Sequence, residues 1–272
     1  MALALGVRAG QQEDVIGDVA AVRTRAVRRD GGWVIDGQKM FTTNAHVADY
    51  VFLLTRTDPA SERHRGLTMF LVPLDRDGIE VQAVFTLSGE RTNITFYGDV
   101  FVEDRWRISP VDAGWQALML ALQDEHSAPF SPHLLRLLDH AERWAATPTD
   151  GGGGEVPLDR DPVRDGLIRA ATDLEVARLL EQRTTWMESN GEVPVAEGPM
   201  SKLFSTEAIV SGSEELTRVV GPDALRSRTD PTAVDGGRIE HLLRFALGTT
   251  IYAGTSEIQR NIIAQRRCGL PR

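Results

Sequence analysis

Short apolar runs separated by turn-forming residues fill the first part of the chain, from residue 19 to residue 103. Residues 50–54, 67–72 and 94–102 are examples, and glycine, aspartate and proline stand between the runs. This pattern is typical of strands in an antiparallel sheet. Helical stretches do not alternate with these runs, so a doubly wound parallel sheet is not expected. We therefore predict an antiparallel β-barrel or sandwich over residues 1–110.

Two turns are predicted near the start of this region. Residues 29–32, with the sequence RDGG, form a cluster that is typical of a hairpin connection. Residues 36–37, with the sequence DG, follow the apolar run 33–35 and predict a second turn. Residues 19–27 alternate loosely between apolar and polar positions and predict the strand that enters the first turn.

From residue 112 onward the hydrophobic period becomes helical. Trp115, Leu118, Met119 and Leu122 are spaced to share one face of a helix. Further helices are predicted over residues 164–188, 199–220, 238–252 and 256–267. A sheet followed by several helices makes the chain α+β, with a C-terminal helical bundle over residues 111–272.

Proline and glycine interrupt the helical half of the chain at two places. Pro129 and Pro132 are expected to bend or break the apolar stretch that continues to Trp144. Residues 147–157, which include four consecutive glycines, predict a loop or flexible linker.

Composition excludes several classes of function. The chain has 272 residues with 30 Lys and Arg against 39 Asp and Glu, so 30 − 39 gives a net charge of −9. An acidic chain is not expected to bind nucleic acid or anionic membranes. Cys268 is the only cysteine, which excludes an intrachain disulfide and a cysteine zinc site. No apolar run approaches the ~18 residues of a membrane span, and residues 1–10 lack a signal-peptide pattern, so a cytoplasmic location is expected.

Three histidines raise the question of a metal site. His126, His133 and His140 are spaced by seven residues and would share a face of one continuous helix. The prolines between them break that continuity, and a metal site needs at least three converging ligands. We therefore expect no metal.

Residues 251–264, with the sequence IYAGTSEIQRNIIA, carry the most specific chemical signal. Gly254 is expected to end one helix, and Thr255 or Ser256 to cap the next. Backbone N–H groups at such a helix start suit a phosphate or the edge of a flavin. An ordinary helix–turn–helix corner is the alternative interpretation.

The same fourteen residues closely resemble the signature of the acyl-CoA dehydrogenase family. Residues 32–45, GWVIDGQKMFTTNA, are similar to the β-domain hairpin of that family, and residues 65–73 and 94–100 resemble other β-domain segments. The ending GLPR at residues 269–272 is also similar. Residues 161–164 and 235–238 resemble an actinobacterial branch that is associated with sterol side chains and often forms heteromers.

The resemblance implies FAD as cofactor and names the residues that would hold it. Phe41 and Thr43 match positions that lie against the flavin ring, where an aromatic side chain stacks and a hydroxyl bonds the N5 edge. Gly254, Thr255 and Glu257 match the cofactor-binding turn. The family usually has Trp at the position of Phe41, so the stacking area is smaller here; a plain core aromatic is the alternative for Phe41.

Several stretches depart from the family pattern. The chain starts where the N-terminal helical domain of the family would already have ended. Residues 11–18, QQEDVIGD, stand where the family has Thr-Glu-Pro-x-x-Gly-Ser-Asp, and residues 144–157 replace a basic stretch that helps to hold the FAD adenine. A glycine-rich turn is reduced to VVGP at residues 219–222. These departures speak against FAD binding by this chain alone.

The family reaction needs a carboxylate beside the α-carbon of an acyl thioester, with a pKa raised by desolvation. Many members carry this Glu just before the Gly-Thr-Ser turn, where this chain has Ala253. Other members carry it on the first helix after the β domain, and there the matching residue is Glu125. Its neighbour Asp124 points elsewhere, because adjacent helical residues are ~100° apart. An exposed carboxylate at a helix end is the alternative for Glu125.

Two functions are therefore open. The first is an FAD-dependent dehydrogenase, or a subunit of one, that oxidises an acyl thioester of CoA or a carrier protein with Glu125 as base. The second is a non-catalytic partner subunit or a non-redox biosynthetic homologue. In both cases a homo- or hetero-oligomer is expected.

Overall fold

The computed structural model describes the backbone of residues 2–4, 22–126, 129–148 and 154–271, and the side chains of residues 22–121, 129–148 and 154–271. The chain divides into two compact units, Met1–Gln123 and Asp124–Arg272. The strands are β1 (Ala2–Ala4), β2 (Arg25–Arg29), β3 (Gly32–Lys39), β4 (Tyr50–Arg56), β5 (Leu67–Pro73), β6 (Ile79–Phe85) and β7 (Arg91–Glu103). The helices are α1 (Gly114–His126), α2 (Ser131–Ala145), α3 (Asp161–Ser189), α4 (Glu197–Val220), α5 (Arg238–Thr249) and α6 (Ser256–Arg266).

The first unit is built on one curled, mixed sheet. Its strand order is β1-β4-β2-β3-β7-β6, and β5 pairs with β4. The pairs β2–β3, β3–β7, β6–β7 and β4–β5 are antiparallel, whereas β1 runs parallel to β4 and a single parallel pairing joins β2 to β4. The predicted fold class, a β domain followed by a helical bundle, is confirmed.

One of the two predicted turns is wrong. The hairpin turn is present, with Gly31 at φ +75° between β2 and β3. Asp36 and Gly37, however, lie inside β3, where the register against β7 shifts between Ile35 and Gly37. Gly37 has φ +140°, and a Cβ there would lie 2.8 Å from the Cα of Thr24. The dipeptide therefore makes a β-bulge that lets two backbones approach closely.

Alternate residues of the strands form the core of this unit. The main buried cluster consists of Ala26, Trp33, Ile35, Ala45, Val51, Leu53, Phe70, Val72, Tyr97, Val100 and Val102. Helix α1 covers a second cluster, in which Leu118 packs with Val22, Leu54, Leu67 and Met69. Met119, which was predicted on the same face as Leu118, is 39% exposed.

The second unit is a bundle of helices. Its core joins α2, α3, α4 and α5 through residues that include Leu134, Leu137, Leu174, Ile209, Leu242 and Ala246. Pro132 lies at the start of α2, so the prolines separate α1 from α2 as predicted. Helix α5 ends at Thr249, earlier than the predicted residue 252, so Gly254 lies in a loop and does not end that helix. Part of the predicted glycine-rich loop, residues 149–153, lies outside the described residues.

The predicted histidine series is split between two helices, with His126 at the end of α1 and His133 and His140 on α2. In the described part of the chain, His, Cys, Asp and Glu form no group that could hold a metal ion. Across the described helices there is also no apolar segment of sufficient length to cross a membrane.

Candidate functional sites

Phe41 and Thr43 follow the end of β3 and are both exposed. The backbone of Phe41 has φ +60°, and its side chain is 47% exposed, which contradicts the interpretation of Phe41 as a core aromatic. The Thr43 amide donates to the Phe41 carbonyl at 3.0 Å. A positive φ at a bulky residue is unusual and is held in place by the surrounding structure.

That surrounding structure is a buried polar cluster between the two exposed residues and strand β7. Thr42 is fully buried, and its hydroxyl lies 3.3 Å from that of Thr95. The side-chain amide of Asn93 donates to the Thr42 carbonyl at 2.9 Å and also contacts Nδ1 of His46 at 3.2 Å. The hydroxyls of Thr43 and Thr92 lie 3.5 Å apart. The loop that presents Phe41 is therefore tied to β7 at several points.

Lys39 adds a buried amine to the same end of β3. Its side chain is fully buried, and its Nζ has no hydrogen-bond partner among the described residues. Burial lowers the pKa of Lys39 to about 7, because the charged ammonium is desolvated.

The second candidate site is the turn between α5 and α6. Ala253 and Gly254 both have positive φ, +53° and +85°. Thr255 is the N-cap of α6, and its hydroxyl accepts from the amide of Ile258 at 3.4 Å. The predicted cap is thus present, and Thr255 rather than Ser256 provides it.

Two side chains hold the carbonyl groups of this turn. Lys202 of α4 donates from Nζ to the Gly254 carbonyl at 2.6 Å. The amide of Gln259 donates to the Ala253 carbonyl at 2.8 Å and contacts that of Gly254 at 3.4 Å. Burial lowers the pKa of Lys202 to about 8, although the charges of Glu207 and Glu257 oppose the shift.

A groove of about 430 Å³ lies beside the turn. It is lined by Glu207, Val210, Ser211, Glu214, Leu247, Thr250, Ile251, Thr255, Ser256, Glu257 and Arg260. Arg260 pairs with Glu207 at 2.7 Å. The pKa of Glu257 is lowered chiefly by a hydrogen bond from the Thr255 hydroxyl and by one from the backbone amide of Glu257 itself. The positive charges of Arg260 and Lys202 lower it further, so this carboxylate is ionised at neutral pH.

Two unsatisfied polar atoms lie in the first turn of α6. Ser256 Oγ and Gln259 Oε1 are buried and have no partner in the described part of the chain. Buried polar atoms normally find a partner, so such atoms at a helix start point to a group that binds there. The Ser256 hydroxyl can donate to an anionic cofactor such as FAD, whereas Gln259 Oε1 is an acceptor and needs a donor.

Glu125 lies in the last turn of α1, and its side chain is outside the described residues. Glu181 of α3 fixes the chain shortly after it. Its Oε1 accepts from the amides of Phe130 and Ser131, both at 2.8 Å, and its Oε2 accepts from the Ser131 hydroxyl at 2.6 Å. A carboxylate from another helix therefore caps α2.

Sequence reasoning missed Lys202, Gln259, Asn93 and Glu181. The chain has only two lysines among its 30 basic residues, Lys39 and Lys202. This scarcity could have singled out Lys202 as a residue with a specific role. The described residues place Phe41 and Thr43 in the first unit and Gly254, Thr255 and Glu257 in the second; within each unit the predicted residues lie together.

Two family models match the chain: the acyl-CoA dehydrogenase middle domain over residues 13–104 and the acyl-CoA dehydrogenase C-terminal domain over residues 112–267. Acyl-CoA dehydrogenase FadE26 of Mycobacterium tuberculosis is 34% identical over 263 residues, which cover 94% of this chain and 65% of that protein. The chain thus spans slightly less than two thirds of that relative.

Solved structures also match this chain along its full length. The ChsE4-ChsE5 complex from Mycobacterium tuberculosis contains a chain that matches with a TM-score of 0.87 and 32% identity, covering 100% of this chain and 69% of that chain. A structure described as the Tcur3481-Tcur3483 steroid ACAD matches with a TM-score of 0.88 and 30% identity, covering 100% of this chain and 68% of that one.

Proposed function

We propose, since this chain belongs to the acyl-CoA dehydrogenase family, that it is an FAD-dependent dehydrogenase or a subunit of one that oxidises an acyl thioester. The observation that carries the proposal is the turn Ala253–Gly254 at the start of α6, with its capped helix and unpartnered buried polar atoms. A generic helical corner does not need buried lysine and glutamine side chains to hold both of its carbonyls.

In this proposal each residue has a separate task. The exposed ring of Phe41 offers a stacking surface for the flavin, and the Thr43 hydroxyl offers a hydrogen bond to its edge. The amides at the start of α6 meet an anionic part of the cofactor. The Glu257 carboxylate offers a hydrogen-bond acceptor to a hydroxyl group of the cofactor. Bound FAD would supply the two-electron acceptor for the hydride that leaves the β-carbon.

Glu125 is the proposed base. It takes the α-proton of the acyl thioester, so that the electron pair of the α-carbon forms the new carbon–carbon double bond as the hydride leaves. Ala253 has no ionisable group to do this, and Glu125 is the carboxylate left at a family base position. A general base for this step works best when its pKa lies near the working pH.

The neighbours support a substrate class and an assembly for this proposal. One matching structure is described as a steroid ACAD, which supports a large polycyclic acyl group on the thioester. The ChsE4-ChsE5 structure is a complex of two proteins, which supports a hetero-oligomer for this chain. The exposed apolar residues of α3, Ile168, Leu179 and Trp186, are available for such an association.

Ala253 also favours a second candidate function. If Glu125 is not a base, the chain is a non-catalytic partner subunit, or a biosynthetic homologue that uses the pocket without redox chemistry. The two functions differ in one measurable property, since the dehydrogenase must bind flavin and transfer electrons to it.

The test is the visible absorbance of the purified protein, alone and together with any chain that co-purifies with it, after incubation with FAD and gel filtration. We expect flavin absorbance to co-elute with the protein and to bleach when an acyl-CoA is added without oxygen. If flavin elutes separately in every combination, the dehydrogenase proposal is wrong. If flavin binds but no acyl-CoA bleaches it, including CoA thioesters with steroid side chains, the proposed substrate class is wrong.

A further inference from the structure

The side chain of Asn93, on β7, is fully buried, and its neighbours allow it a single orientation. Nε of Arg91 can only donate, and it lies 3.0 Å from Asn93 Oδ1. The carbonyl of Thr42 can only accept, and it lies 2.9 Å from Asn93 Nδ2. A rotation of the amide by half a turn would place donor against donor and acceptor against acceptor. The hydrogens of the amide therefore point towards Thr42.

This orientation decides the tautomer of His46. Nδ2 of Asn93 also lies 3.2 Å from Nδ1 of His46, and the second amide hydrogen is available for that contact. Nδ1 must then be the acceptor, so the neutral imidazole carries its hydrogen on Nε2. The residue is exposed, so its ring exchanges protons with water.

Protonation of His46 would oppose this contact. Both nitrogens of an imidazolium are donors, so an N–H of the ring would face an N–H of Asn93. The Asn93 amide cannot rotate in response, because Arg91 and Thr42 hold its two ends. A buried amide hydrogen would lose its acceptor, which changes the equilibrium between the held and the released segment by about tenfold.

The segment that follows β3 depends on this network. Phe41 and Asn44 have φ +60° and +62°, conformations that surrounding contacts must hold in place. The Thr42 carbonyl, which accepts from Asn93, also accepts from the Ala45 amide at 3.3 Å. The Asn93 amide thus joins the imidazole to the turn that displays the exposed aromatic ring.

The elements of this network carry other titratable or charged groups. Among the described residues, Arg91 bonds the Asn93 amide from β7, and Lys39 lies buried at the end of β3. Asp49 is the one carboxylate in the sequence between β3 and β4. Burial lowers the pKa of Lys39 to about 7, so this amine also changes charge near neutral pH. A test must therefore remove the titration of the imidazole and leave that of Lys39 in place.

We propose that His46 is a positioning residue: in its neutral form it holds Asn93 and thereby the segment that presents Phe41 and Thr43, and its protonation releases that segment. This inference rests on the proposed flavin function, in which Phe41 and Thr43 contact the flavin. It adds that the affinity for FAD falls as the pH falls, because the form that holds the segment has lost a proton.

The experiment follows two quantities in the full chain between about pH 5 and pH 8, where a histidine normally changes charge. These are the dissociation constant of FAD and, in the ligand-free protein, the hydrogen-exchange protection of residues 40–47. In the wild type we expect the affinity and the protection to fall by about tenfold from the upper to the lower pH. His64→Asn, which removes an exposed histidine from the loop between β4 and β5, is the matched control and should behave as the wild type.

Two variants of His46 separate its titration from its contact. His46→Asn keeps an oxygen acceptor near the position of Nδ1 but cannot titrate, so both quantities should stay at the high-pH values of the wild type at every pH. His46→Leu removes the acceptor, so both should stay at the low-pH values. If His46→Leu fails to fold, His46→Asn decides alone, because the proposal requires that its affinity and protection do not depend on pH.

Each outcome has a separate meaning. The proposal is overturned if His46→Asn keeps the pH dependence of the wild type, since Lys39 or another group would then be the one that titrates. It is also overturned if the protection follows His46 while the FAD affinity stays constant, because the segment would then not position the flavin.

The flavin function can fail separately. If the wild type binds FAD at no pH but the protection of residues 40–47 follows His46, the hold of His46 on the segment stands and the flavin function is wrong. If FAD binds with the same affinity at every pH and the protection is constant, the flavin function stands and the role of His46 is wrong.

Discussion

Asn93 and Thr42 bond each other in both directions. The side-chain amide of Asn93 donates to the Thr42 carbonyl at 2.9 Å, and the Thr42 amide donates to the Asn93 carbonyl at 2.8 Å. Both residues are fully buried, so water cannot replace either bond. This pair fixes the segment that exposes Phe41 on one side and Thr43 on the other.

Replacement of Asn93 by Ala should therefore destabilise the β domain. The Thr42 carbonyl loses a buried donor, and we expect a loss of about 1–3 kcal/mol in the free energy of unfolding. Urea denaturation followed by tryptophan fluorescence measures it. Gln82→Ala, on the exposed edge strand β6, is the control and should change stability by less than about 0.5 kcal/mol. Equal stability of the two variants would contradict the role of Asn93.

Lys39→Met should stabilise the protein at neutral pH. The folded-state pKa of Lys39 is lowered to about 7, so between pH 7 and its unfolded value near 10.5 the unfolded chain holds the proton more tightly. Because of Lys39, the free energy of unfolding of the wild type must then rise with pH across this window. Below pH 7 Lys39 is charged in the folded state as well, so the full cost of burying the charge is present there.

Lys39→Met lacks both the cost of burying a charge at this position and the resulting rise of stability with pH. At pH 7 we expect Lys39→Met to be more stable than the wild type by on the order of 3 kcal/mol, and the difference should shrink as pH approaches 10. Denaturation at several pH values gives the difference directly. Parallel pH profiles for wild type and variant would show that Lys39 is charged and satisfied at neutral pH.

Glu125→Gln should abolish most of the proposed dehydrogenase activity. The amide keeps the size of the side chain but cannot take a proton, so turnover should fall by ~10²–10⁴. The assay is acyl-CoA oxidation with an artificial electron acceptor, run on the chain alone and with any chain that co-purifies with it. Asp124→Asn is the control, because adjacent positions on a helix are ~100° apart. Unchanged turnover in Glu125→Gln would assign the base to another residue.

Glu181→Ala should destabilise the start of α2. Two backbone amides and the Ser131 hydroxyl lose their acceptor, with an expected loss of about 1–3 kcal/mol. Amide exchange should accelerate at the start of α2 before the rest of the bundle. Glu175→Ala, an exposed carboxylate on the same helix, serves as the control and should leave both measurements as in the wild type.

The proposed assembly predicts a particle larger than one chain. The chain has a mass of 29.9 kDa. Sedimentation at micromolar concentration should give at least twice this mass, either alone or after addition of the partner chain. Leu179→Asp on α3 should reduce the assembled fraction, because it places a charge in an apolar contact. A monomer under every condition would refute the oligomer.

The sequence alone determined the features that depend on neighbouring residues. Alternation and period 3.6 predicted most strands and helices, because the side chains of each element repeat with the geometry of its backbone. The start of α6 was predicted because an N-cap involves residues only three positions apart, as in Thr255 and Ile258. The family resemblance rested on equally local strings of residues.

Tertiary structure decided the features that join distant parts of the chain. Lys202 and Gly254 are 52 residues apart, Asn93 and Thr42 are 51 apart, and Glu181 and Ser131 are 50 apart. The bulge at Gly37 likewise depends on the close approach of the backbone of Thr24, which directly precedes β2. Local propensity cannot encode such contacts, since they form only when packing has brought the elements together and removed water from the polar groups between them.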